Sequence, residues 1–147
     1  MKCVLRSQLL RSTWCIPIVI LLSGCGEVSD KPETGVVSGI VTLDDQPLQD
    51  ARVVFAPEAG GQSSEATTDD QGRYQLVYRG DEMGAKVGLH KVHISTFEES
   101  YLDDAGQPTG GREERVPERY NVDSELDIEV VAGTNDIPLD LQSSISE

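Results

Sequence analysis

Val37-Ser38-Gly39-Ile40-Val41-Thr42-Leu43-Asp44-Asp45-Gln46-Pro47-Leu48-Gln49-Asp50-Ala51-Arg52-Val53-Val54-Phe55 carries period-two alternation on both sides of a turn. Side chains alternate across an extended strand, so Val37, Gly39, Val41 and Leu43 share one face, and Ala51, Val53 and Phe55 share one face of the next strand. Asp44-Asp45-Gln46-Pro47 turns the chain between them, and Pro57 with Gly60-Gly61 closes the second strand. No window after Gly35 shows the i, i+3, i+4 apolar spacing of a helix. The polar run Ser63 to Thr68 suits an edge strand, and Asp69-Asp70-Gln71-Gly72 makes a tight turn after it. Tyr74, Leu76 and Tyr78 then face inward, as do Gly88, His90, Val92 and Ile94, and later Leu126, Ile128 and Val130. Gly133-Thr134-Asn135 turns into Ile137, Leu139 and Leu141. The pattern predicts an all-β fold, a seven-stranded antiparallel Greek-key β-sandwich over residues 35–142, with a polar tail at 143–147.

Composition bounds the partners. The 147 residues hold 26 Asp or Glu against 12 Lys or Arg, a formal charge of -14. Binding a phosphate backbone needs cationic side chains to displace counterions, so nucleic acid is excluded as a partner. The length suits one domain rather than a two-domain enzyme.

All three cysteines, Cys3, Cys15 and Cys25, lie in the first 25 positions. Lys2, Arg6 and Arg11 give a positive start without acids, Trp14 to Leu22 runs apolar apart from Pro17, and Ser23-Gly24 follows as a small-residue site. That order is the order of a secretory signal peptide. The apolar run covers nine residues, too few for the roughly 20 that a spanning helix needs. Leu21-Leu22-Ser23-Gly24-Cys25 resembles the lipobox of bacterial lipoproteins, which implies cleavage between Gly24 and Cys25 and acylation of the Cys25 thiol. Residues 1–24 are then a lipoprotein signal peptide, and 25–34 the lipidated cysteine with a short polar tether. Removal of three positive charges and no acid leaves 9 bases against 26 acids, a mature charge of -17. One acyl chain holds a protein to a membrane marginally and two hold it stably, and the resemblance implies a multiply acylated anchor of the palmitate kind.

A second resemblance covers the domain. Val37-Ser38-Gly39-Ile40-Val41, Gln46-Pro47-Leu48-Gln49-Asp50-Ala51-Arg52-Val53-Val54-Phe55 and Thr68-Asp69-Asp70-Gln71-Gly72-Arg73-Tyr74-Gln75-Leu76 together resemble the carboxypeptidase regulatory-like, prealbumin (transthyretin)-type domain. Gly88-Leu89-His90-Lys91-Val92-His93-Ile94 and Val116-Pro117-Glu118-Arg119-Tyr120-Asn121 extend the likeness. With the lipobox, the whole resembles small secreted lipoproteins abundant in planctomycete-like bacteria. The resemblance implies a non-catalytic module of the bacterial cell envelope, periplasmic or surface-exposed, on either membrane. Its partners would be the membrane, through the lipid anchor, and an envelope protein or glycan.

The candidate sites compete with structural readings. The long acidic stretch from Phe97 to Arg119 has 23 residues and is read as a disordered or mobile loop, with ligand binding as the sharper alternative. Tyr101 and Leu102 are its apolar anchors, and Tyr101, Asp103, Asp104 and Tyr120 are its candidate binding residues. A carrier of calcium or carbohydrate, using the acidic turns Asp44-Asp45, Asp69-Asp70 and Asp103-Asp104, is the alternative function. The Asp-x-Asp-x-Asp-Gly spacing of a calcium loop is absent, and no metal site is assigned. His90 and His93, the only histidines, stand at odd spacing and so on opposite faces of one strand, where they cannot share a metal. Intradiol dioxygenases of prealbumin-like fold hold iron with two tyrosines and two histidines that alternate on one face. Tyr74, Tyr78, Tyr101 and Tyr120 exist here, but the histidine spacing does not match. There is no Gly-x-Ser-x-Gly elbow and no phosphate loop, so no catalytic residue and no cofactor is assigned.

Overall fold

The computed structural model describes residues 31–144. The signal peptide, the cleavage position between Gly24 and Cys25, the acylated Cys25 and most of the tether lie outside the described residues. Fourteen strands follow in chain order: β1 (Thr34–Leu43), β2 (Gln46–Pro47), β3 (Arg52–Pro57), β4 (Ser64–Thr67), β5 (Arg73–Gln75), β6 (Val77–Arg79) and β7 (Glu82–Met83), then β8 (Ala85–Lys86), β9 (Gly88–Ser95), β10 (Glu98–Leu102), β11 (Pro108–Arg112), β12 (Asp127–Val130), β13 (Gly133–Asp136) and β14 (Leu139–Leu141). A 3-10 turn at Glu118–Tyr120 is the only helical element among the described residues, and none is long and apolar enough to cross a membrane.

The fold is an all-β sandwich. One sheet is built on β1, with β13 and β14 on one side and β2, β5 and β8 on the other. The second runs β12-β9-β3-β4-β6-β7. The seven expected strands are all present, as β1, β3, β4, β5 with β6, β9, β12, and β13 with β14. Their inward residues form the core: Val37, Val41, Ala51, Val53, Phe55, Leu76, Val92, Ile94 and Val130 are fully buried. Phe55, facing both Ser64 and Val92 in the ladder, is the largest of these, and burial of such a ring contributes about 1.5–3 kcal/mol.

Four details depart from the sequence reading. β13 and β14 run parallel to β1, because the chain crosses between sheets after β12 and returns alongside β1 in the same direction. Gly133-Thr134-Asn135 is therefore strand rather than turn. The turn before it is made by the Asn135 side chain, whose Oδ1 accepts from Val131 N at 3.0 Å while Nδ2 donates to Val131 O at 2.8 Å. β4 is not an edge, because the strand that passes β1 as β5 changes sheet at the buried Leu76 and continues as β6 beside β4. The stretch from Phe97 to Arg119 is not an unstructured loop. It contains the antiparallel pair β10–β11, in the register Glu98 to Arg112, Ser100 to Gly110, Tyr101 to Thr109 and Leu102 to Pro108. Nor do Tyr101 and Leu102 anchor it. Both are exposed, and the stretch is pinned to the core by Val116, with Tyr120 packed against it.

Candidate functional site

The β10–β11 hairpin stands apart from both sheets as a two-stranded arm. Its tip is Asp103-Asp104-Ala105-Gly106, in which Asp103 Oδ1 accepts from Ala105 N at 2.9 Å and from Gln107 N at 2.8 Å. Gly106 N donates to Asp103 O at 2.9 Å, and Asp103 N donates to Gln107 O at 2.9 Å. Phe97, Tyr101 and Leu102 on or beside β10 are 61%, 64% and 68% exposed. An open cleft of about 610 Å³ runs along the arm between Phe97, Glu98, Glu99 and Ser100 on one strand and Gly110, Gly111, Arg112 and Glu113 on the other.

Both legs of the arm are fastened at its foot by one carboxylate. Glu114 Oε1 accepts from Thr96 N at 2.9 Å, Thr96 Oγ1 at 2.9 Å, Arg115 N at 3.0 Å and Val116 N at 3.0 Å. Its Oε2 accepts from Ser95 Oγ at 2.5 Å and from Asn121 Nδ2 at 2.6 Å. Burial by itself would raise the Glu114 pKa. The bonds from Ser95, the Thr96 and Val116 backbones and the Thr96 hydroxyl outweigh it and hold the carboxyl down at about 2. Six donors thus converge on the two oxygens of this one carboxylate. His93 joins the same cluster from β9, its Nδ1–H donating to Asn121 O at 2.6 Å.

The histidines occupy opposite faces, as their spacing predicts. His90 is 1% exposed, with its ring centroid 5.8 Å from that of Phe55 and its Nδ1–H donating to Gly88 O at 2.9 Å. Burial depresses its pKa, with the Gly88 bond opposing and the Lys86 charge assisting. The four tyrosines are not brought together. Tyr74 donates its hydroxyl to Ile137 O at 2.7 Å, and burial, followed by the Asp136 charge, pushes its pKa well above the ordinary phenol range. Tyr78 and Tyr120 line two further, separate clefts. Tyr120 has the Arg119 guanidinium 4.7 Å above its ring.

Of the residues selected from sequence, Tyr101, Asp103 and Asp104 share the arm, while Tyr120 sits with Pro117, Glu118, Arg119 and Leu126 in a cleft that includes no arm residue. Phe97, Glu99 and Arg112 were not selected, though the arm's cleft is built from them. Their signal is the repeated turn sequence Asp-Asp-x-Gly, which turns the chain between β4 and β5 at Gly72 and closes this hairpin at Gly106. The acidic turns are committed locally. Asp44 Oδ1 accepts from Ser143 N at 2.9 Å, and Asp69 Oδ1 from Gln71 N at 2.9 Å and Arg73 N at 2.8 Å. No group of three or more His, Cys, Asp or Glu among the described residues is disposed to hold a metal ion.

No protein-family model matches the chain, and neither does any curated protein. Two solved structures are similar. One is BcpA, the major pilin subunit of Bacillus cereus, with 14% identity and a TM-score of 0.44, matched over 77% of this chain and 31% of that one. The other is a 9R-lipoxygenase from Cyanothece PCC8801, with 18% identity and a TM-score of 0.43, matched over 77% of this chain and 17% of that one. The chain thus spans about a third of the pilin subunit and less of the lipoxygenase.

Proposed function

We propose that this chain is a non-enzymatic, lipid-anchored binding module of a bacterial cell envelope, with a carboxypeptidase regulatory-like, prealbumin-type sandwich tethered through Cys25. The observation that carries the binding role is the β10–β11 arm, an exposed hairpin that groups Phe97, Tyr101 and Leu102, which with Val122 are the most exposed large apolar side chains among the described residues. Large exposed side chains grouped on one projecting element mark a contact surface. The anchor is supported by the order of charge, apolar run, small residues and cysteine in the first 25 positions. A non-catalytic role is supported by the chemistry of the polar groups: Glu114 is held ionised by six donors, and His90 is packed against Phe55.

Two measurements test the two halves of this reading. Cells fed a labelled fatty acid incorporate label into the native chain and none into a Cys25→Ala variant; label that persists in the variant removes the anchor. A photoreactive amino acid at position 101 crosslinks to a partner on intact cells, while the same group at exposed position 75 on β5 does not. Equal yields from both positions remove the arm as the contact element.

A further inference from the structure

The β10–β11 arm is a sheet without a second layer. A two-stranded hairpin on its own is marginally stable in water, and three or more strands or a packed face are ordinarily required. Here all five residues of β10 are exposed, and neither strand has a partner other than the other. Glu99 and Tyr101 lie on one side of β10 by strand alternation, and the exposed Phe97 stands immediately before it. The adjoining cleft, about 610 Å³, falls in the range of roughly 300–1,000 Å³ usual for ligand sites. Gly110 and Gly111 of β11 carry no side chain and are closely packed by Tyr101 and Ser100 of β10, so what the hairpin leaves to an incoming segment is the unpaired outer edge of each strand.

Charge selects what covers this surface. Between Phe97 and Glu113 stand five carboxylates, Glu98, Glu99, Asp103, Asp104 and Glu113, against the single guanidinium of Arg112. That cation is already occupied: Arg112 Nη2 donates to Glu98 Oε2 at 2.9 Å, and Nη1 donates to Asp50 O at 2.6 Å. Glu99 and Glu113 both line the cleft, and their carboxylates make no hydrogen bond or ion pair among the described residues. A second copy of this chain would bring the same acidity against itself, and an anionic lipid surface or a nucleic acid carries the wrong sign. Resting on the binding role proposed above, we infer that the arm receives a cationic peptide segment of a partner protein. Its basic side chains meet Glu99 and Glu113, and its apolar ones cover Phe97 and Tyr101. The backbone can add to the open hairpin as a further strand, with main-chain bonds giving affinity and the alternating side chains giving selectivity.

The test titrates the purified protein with an alternating lysine–leucine octapeptide, following fluorescence anisotropy and backbone amide shifts. A lysine–serine octapeptide and a glutamate–leucine octapeptide serve as controls. The lysine–leucine peptide is expected to bind with an affinity that falls as salt rises, to shift amides over residues 97–113, and to exceed both controls by about tenfold or more. Two double variants, Glu99→Lys with Glu113→Lys and Phe97→Ser with Tyr101→Ser, change only exposed side chains. Each is expected to weaken binding by about tenfold, a loss typical of removing a central contact. Absence of binding overturns the inference, as does binding that both double variants leave unchanged, which would be attraction to an acidic chain at large. If position 101 still crosslinks to a partner on cells while the peptide fails, the cationic assignment falls and the module reading stands. If neither is seen, both fall.

Discussion

Glu114 lies at a crossing of local and distant structure. Its donors come from the end of β9, from its own following residues and from Asn121, so one side chain ties three separate backbone segments together. Replacing it by Gln keeps the shape but removes the charge and turns one oxygen into a donor that faces other donors. Glu114→Gln is expected to cost about 1 kcal/mol at neutral pH, less than a buried charged acceptor would, because solvent reaches the carboxylate. The pH dependence follows from the depressed pKa. The folded group titrates at about 2 against an ordinary value of 4.5, so its stabilisation is complete above 4.5 and is lost as the pH falls toward 2. Urea midpoints of the native chain and the Glu114→Gln variant should therefore differ at neutral pH and converge across that window. A gap of constant size would exclude the clamp. Nothing in the sequence around Glu114 announces this role, since Ser95 and Thr96 lie 19 and 18 positions away and meet it only after folding. The opposite faces of His90 and His93 were legible, because alternation along one strand is a local property.

At the scale of elements, one turn is used twice. Asp69-Asp70-Gln71-Gly72 and Asp103-Asp104-Ala105-Gly106 share the same hydrogen bonds: the first Asp accepts through Oδ1 from the residues two and four ahead, and the Gly N–H closes back on the first Asp carbonyl. Both glycines have positive φ, 72° and 76°. The first turn is legible because the apolar alternation of Tyr74, Leu76 and Tyr78 follows it, although β4 and β5 on its two sides pair in different sheets. The second does not show itself as a hairpin by alternation, because its strands carry Glu, Ser and Gly, with no buried face to impose a pattern. Turn chemistry alone would have found it. The two glycines differ in what surrounds them. A Cβ at Gly72 would lie 2.5 Å from Val41 O, whereas at Gly106 nothing lies within 4 Å. Gly106→Ala should therefore cost only the left-handed conformation, about 1–2 kcal/mol, confined to faster hydrogen exchange in the arm. Gly72→Ala adds a backbone collision with β1 and should lower global stability by about 2–5 kcal/mol in chemical denaturation. Equal global losses would mean that the turn's packing against β1 contributes nothing.

At the scale of the molecule, stability and contact are assigned to different parts of the chain. The sandwich is held by pairings between distant residues, such as Val41 with Leu139 in the parallel pair and Gly39 with Tyr74 in the antiparallel pair of β1 and β5. Alternation reveals that such strands exist and which side is buried. It does not reveal partner or direction, because parallel and antiparallel neighbours demand the same inward faces; that is why the direction of β13 and β14 and the sheet change at Leu76 were not legible. Residues 97–113 contribute nothing to the buried core, and above the Glu114 clamp at its foot the arm reaches the sandwich through Arg112, whose bond to Asp50 O is solvent-exposed. Its two ends are already adjacent, since Thr96 Oγ1 lies 2.9 Å from Glu114 Oε1. Excising residues 97–113 and joining Thr96 to Glu114 through two glycines should therefore leave a cooperative sandwich destabilised by less than about 1 kcal/mol, as for changes that remove only exposed groups. The urea dependence should keep nearly its native slope, because little buried surface is lost. Partner crosslinking, in contrast, should vanish in this variant. A shortened chain that no longer unfolds cooperatively would make the arm part of the fold, and the exposed side chains of β10 would then lose their claim to be a contact surface.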